Sequence, residues 1–105
     1  MILFEKIAAQ LPNWQARRDR LVGEFGSRKV CEVNVEQIYS GMRGVHVQVS
    51  DISYVDPSRG ILFRGYSMKE VLTLLPKAPG SDYPLAGGLF YLLMTGELPT
   101  QKNAW

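Results

Sequence analysis

Three arginines set beside glycines are the residues of this sequence best suited to hold a ligand. "SGMRG" puts Arg43 between Gly41 and Gly44, and "DPSRGILFRGYS" puts Arg59 before Gly60 and Arg64 before Gly65. Glycine lets the backbone come close to a ligand. A guanidinium forks onto phosphate or carboxylate oxygens. Ser67 followed by Glu70 has the S-x-x-E spacing of a capped helix start, so Arg59 and Arg64 lie near a helix N-terminus that can favour an anion. Neither stretch has the spacing of a P-loop or of a dinucleotide fingerprint. On spacing alone, a structural turn outweighs a phosphate grip for both.

Other chemistry has less support. His46 and Cys31 are the only histidine and cysteine. One of each cannot supply a zinc cluster. No triad signature surrounds His46, which reads as a surface or packing residue. Cys31, near Val30 and Val33, reads as a small, half-buried side chain. The carboxylate pairs Asp51/Asp56 and Glu32/Glu36 sit in no pocket pattern, so acid–base catalysis is not expected of them. No catalytic residue and no metal ligand is expected in this chain.

Composition bounds the rest. A length of 105 residues suits one domain or part of one. Hydrophobic residues at 46% and charged residues at 21% are globular values. A net charge of +2 permits an anionic ligand but is not the dense basic patch of a nucleic-acid binder. No run approaches the ~20 apolar residues of a membrane helix. A lone cysteine forms no internal disulfide, and the N-terminus lacks a signal-peptide pattern; a cytoplasmic setting is the expectation.

The elements that must position the arginines can be read from periodicity. Leu3, Ile7, Leu11, Trp14, Leu21 and Phe25 fall on one helical stripe, with Arg17, Arg18, Asp19 and Arg20 on the other side. Pro12 predicts a kink or two abutting helices, and Gly26 a C-cap. Asn34 with Gln37 predicts a capped helix over about 35–42, turning Val35, Ile38, Tyr39 and Met42 inward. Val45, Val47 and Val49 alternate with His46 and Gln48, as a strand does. One or two small β-hairpins are expected around Asp56-Pro57. A helix follows Ser67 and ends at Pro76, with Val71, Leu72, Leu74 and Leu75 giving it a broad apolar face. A last helix is expected from Pro84 to Gly96, apolar nearly all round and therefore suited to burial in something larger. Thr100 announces a further helix, and the sequence ends at Trp105. These features suggest an N-terminal piece of a bigger protein.

Four ordered motifs then resemble the citrate synthase family: "YSGMRGV" (39–45), "DPSRGILFRGYS" (56–67), "LLPKA" (74–78) and "PLAGGLFYLLMTGELPT" (84–100). The resemblance covers essentially the whole chain. It implies a mainly α segment, with one or two small hairpins, from the N-terminal part of the family's large domain, residues 1–105, without the small domain. It implies a parent homodimer that condenses acetyl-CoA with oxaloacetate, giving citrate and CoA, with no tightly bound cofactor. In the family the catalytic histidines and aspartate, and the groups that hold oxaloacetate, lie beyond this segment. The segment alone is therefore expected to be inactive, and His46 takes no catalytic role. The arginine of the G-M-R-G element is associated with the phosphates of coenzyme A, which makes Arg43 the one expected cofactor-binding residue. Leu62 stands where many relatives carry a basic residue. Two alternatives stay open: a non-catalytic interaction module docking through the apolar residues 89–94, and a related acyl-CoA condensing enzyme such as a methylcitrate synthase.

Overall fold

The computed structural model describes residues 2–104. Its elements are α1 (Ile2–Phe25), α2 (Val35–Tyr39), β1 (Ser53–Asp56), β2 (Gly60–Phe63), β3 (Tyr66–Ser67), α3 (Met68–Leu74) and α4 (Ala86–Thr95). The strands form one antiparallel sheet in the order β1-β2-β3. The chain is thus mainly helical with two successive small hairpins. It divides into two compact units, one holding the chain through Pro12 and again from Ser50, the other holding Asn13–Val49.

In the first unit, Asp56 starts the turn between β1 and β2. Its Oδ1 accepts the N–H of Ser58 and of Arg59, both at 2.8 Å. Gly60, at φ 77°, closes the turn opposite Asp56. The next hairpin is tighter: Phe63 pairs with Tyr66, and only Arg64 (φ 50°) and Gly65 (φ 85°) lie between. Positive φ at both central residues gives the turn the twist that two-residue hairpins favour. Helix α3 then starts from a complete capping box. Ser67 Oγ accepts the Glu70 N–H at 3.2 Å, and Glu70 Oε2 accepts the Ser67 N–H at 2.7 Å. Val71 and Leu75, four apart, bury together against Leu92 of α4, which is 0% exposed, with Phe63, Tyr66 and Leu89 packed around them. Leu72 and Leu74 stay exposed, so the apolar face is narrower than expected.

Helix α4 begins at Ala86, later than expected, because Pro84 bridges Lys77 and the Leu85 N–H bonds the Pro76 carbonyl at 2.9 Å. Gly96 ends it at φ 76°, its N–H on the Leu92 carbonyl. Gly88, Tyr91, Leu92 and Thr95 are buried, whereas Phe90 and Met94 are exposed. Past Thr100 there is one turn, the Thr100 carbonyl accepting from Asn103 and Ala104; Trp105 lies outside the described residues. That turn packs on α4 through glycine. A Cβ on Gly87 would stand 2.3 Å from the Ala104 carbonyl oxygen.

Three expectations change. Helix α1 runs through Pro12 as one element, so the alternative of two abutting helices falls away. A proline removes a single hydrogen bond, which helical continuity on both sides can tolerate. Helix α2 stops at Tyr39, because Gly41 and Met42 both take positive φ, and Val35, Ile38, Tyr39 and Met42 are exposed, not inward. Residues 45–49 form no strand. Val49 is 97% exposed, and no described strand offers the alternating run a partner.

Two measurements follow. Gly87→Ala should destabilise the chain by about 1–3 kcal/mol in denaturant titration, because backbone must shift to admit the methyl. Gly23→Ala, inside α1 with nothing within 4 Å of the added Cβ, should stabilise by up to about 1 kcal/mol. The second concerns acid. Backbone N–H bonds from Ser58 and Arg59 hold the Asp56 carboxyl below its ordinary range, and the Ser67 N–H does the same for Glu70. Both folded pKa values therefore lie below the unfolded ones. The stability they add is present above the unfolded carboxylate range and is lost as pH falls through the folded values. The denaturation midpoint should be level from pH 7 to about 5 and fall below about 4. Asp56→Asn keeps an acceptor without a titration, so its acid limb should be shallower.

Candidate functional site: the arginine turns

Arg43 sits in a loop built by the end of α2. Gly41 (φ 78°), Met42 (φ 63°) and Gly44 (φ 74°) are all left-handed. Gln37 organises the loop from the helix. Its Oε1 accepts the Asn34 N–H at 3.0 Å to complete the N-terminal cap, its Nε2 donates to the Arg43 carbonyl at 3.3 Å, and its own carbonyl accepts the Met42 N–H at 2.7 Å. The Arg43 side chain is exposed and pairs with no carboxylate among the described residues. The N–H groups of Arg43 and Gly44 have no backbone acceptor there either. A free guanidinium beside two free amides, in a glycine-flanked chain reversal, is an arrangement suited to phosphate oxygens.

The other two arginines differ. Arg59 lies exposed at the tip of the first hairpin turn. Arg64 faces inward, with its side chain 14% exposed. Its Nε and Nη2 donate to the Leu93 carbonyl at 3.0 and 2.8 Å, and its Nη1 meets Asp51 Oδ1 at 3.2 Å. Leu93 lies in the last turn of α4, where carbonyls lack helical partners and the helix end is negative. Arg64 is therefore a clamp across the helix terminus. A cavity of 340 Å³ opens beside it, lined by Asp51, Ser53, Tyr54 and Leu62 among others. With its guanidinium already engaged, the cavity has no free cation of its own. The sequence predicts a turn at Arg64, but its partner lies 29 residues away, beyond the reach of local patterning.

A second set of contacts reaches the same helix end. Gln10 Nε2 donates to the Thr95 carbonyl at 3.0 Å and to Glu97 Oε1 at 3.4 Å, and Lys6 Nζ pairs with Glu97 Oε2 at 2.8 Å. The Glu97 bond raises the Lys6 pKa. Gln10 Oε1 is buried with no partner. A neutral hydrogen bond adds about 0.5–1.5 kcal/mol, and an unpaired buried acceptor costs about 1–3 kcal/mol, so the glutamine contact is close to neutral overall.

His46 is exposed in an irregular stretch and Cys31 is half-buried. No group of three or more His, Cys, Asp or Glu among the described residues could hold a metal ion. The structure brings none of the candidate carboxylate pairs to a cavity with a base.

Arg64→Ala should cost about 1.5–3 kcal/mol in denaturant unfolding, because the Leu93 carbonyl loses a charge-assisted donor. Arg64→Lys should lose less, since an ammonium reaches the same carbonyl without the fork.

No family model matches the chain. Curated relatives do. Proteins named "Citrate synthase, mitochondrial" from Kajikia audax and Xiphias gladius are each 42% identical over 101 residues, 96% of this chain and 22% of theirs. The chain thus spans about a fifth of the length of the curated relatives it matches. Their name also corrects the cytoplasmic expectation. A lone thiol excludes an internal disulfide, but it cannot choose among compartments in which disulfides do not form. At 42% identity over 96% of its residues, this chain belongs to the citrate synthase family.

Proposed function

We propose that residues 1–105 serve as the N-terminal segment of the large domain of a citrate synthase, an enzyme that condenses acetyl-CoA with oxaloacetate to citrate and CoA. In this reading the segment supplies scaffold and one ligand contact, and the catalytic groups come from polypeptide beyond it. The contact is Arg43. Its guanidinium meets a phosphate of CoA, and the amides of Arg43 and Gly44 take a further phosphate oxygen. The observation that carries this is the contrast between arginines: Arg64 is committed to the Leu93 carbonyl, while Arg43 has no carboxylate partner among the described residues and is flanked by glycines. The exposed apolar side chains, including Phe90 and Met94 on α4, fit a segment that is covered in an assembled homodimer. The relatives' name supports a mitochondrial setting.

The test uses the enzyme that carries this segment. Arg43→Ala should raise the acetyl-CoA concentration needed for half-maximal rate about 10- to 100-fold, as expected for a lost charge-assisted phosphate contact. The oxaloacetate dependence should stay nearly unchanged. Arg43→Lys should fall between. An acetyl-CoA dependence equal to that of the parent removes Arg43 from the site.

A further inference from the structure

We propose that residues Leu3–Gln10 of α1 form a dissociable arm, latched by charge onto the C-terminal end of α4. The chain leaves the first unit after Pro12 and returns to it at Ser50. The arm's place in that unit therefore rests on what Leu3–Gln10 touch there. The named polar contacts are the Lys6–Glu97 ion pair and the Gln10 amide on the Thr95 carbonyl and Glu97. Leu3 and Ile7 are only half-buried. Lys6 and Glu97 are 36% and 51% exposed at their side chains, so dissolved salt screens the pair.

Two features weaken the closed state from within. Gln10 Oε1 is buried and unpartnered, and it recovers a water partner when the arm lifts. Pro12 interrupts the helical hydrogen bonding just past the arm, where a helix bends most readily. The same helix end supplies a comparison. Arg64 holds Leu93 with two hydrogen bonds and is largely buried, so it does not yield to salt. Among the described residues, the end of α4 thus has a fixed cationic partner in Arg64 and a removable one in Lys6. When the arm lifts, the Thr95 carbonyl and Glu97 face solvent, a negative end of α4 that Lys6 had covered from within the chain.

Hydrogen exchange read by peptide mass spectrometry tests this on the chain itself. In Glu97→Gln, and in the parent chain at about 1 M salt, where the screening length is only ~3 Å, the amides of residues 4–10 should exchange about threefold faster. Those of residues 62–75 and 88–95 should hold their rates. The charge-reversed pair Lys6→Glu with Glu97→Lys should restore the slow exchange at low salt. Arm exchange that ignores both salt and Glu97→Gln overturns the proposal. So does arm exchange that rises only in step with α3 and α4, because the arm then opens only by global unfolding.

Discussion

Arg64 donates two hydrogen bonds to the Leu93 carbonyl from a turn residue whose backbone is left-handed. That contact fixes the second hairpin against the last turn of α4. The hairpin in turn ends at Ser67, whose cap starts α3, and α3 sends Val71 and Leu75 onto Leu92. The chain of dependence is therefore short. A guanidinium satisfies carbonyls that a helix terminus leaves open, and the hydrophobic centre assembles between the elements so joined. The left-handed conformation at Arg64 is tolerated because its side chain is fixed at the far end, the usual condition for such a backbone to persist.

The contrast between Arg64 and Arg43 organises the functional reading. Both precede or adjoin glycine, and both follow a short element. They differ in what surrounds the guanidinium. Arg64 has a helix end and Asp51 within reach, whereas Arg43 projects from a loop held by Gln37. The motif richest in arginine and glycine, residues 56–67, is accordingly architecture, and the shorter "GMRG" is the segment left available to a ligand.

The small core explains why so much apolar surface remains. Leu92 is the one large side chain fully buried among the described residues, while Leu11, Trp14, Leu21 and Phe25 line an exposed stripe on α1 and Phe90 lies open on α4. Patterning places these residues on apolar faces, because it registers that a face is apolar, not what covers it. The chain matches about a fifth of its relatives' length, and an apolar face is buried only where an opposing element exists.

Local signals were legible wherever the physics is local. Both capping boxes, Asn34/Gln37 and Ser67/Glu70, the Gly96 C-cap and the Asp56 turn could be read because each joins groups within about four residues. Whether Val45–Val49 became a strand depended on a partner strand, and where α4 began depended on Pro84 pairing with Lys77. The destination of Arg64 lay 29 residues away in sequence and that of Gln10 lay 85 away. Sequence by itself determined the turns and the caps, because those follow from short-range backbone chemistry, while its ordered motifs carried the resemblance to the family. Tertiary structure alone decided which arginine is clamp and which is free, because that depends on which helix end or carboxylate the folded chain brings within hydrogen-bonding distance.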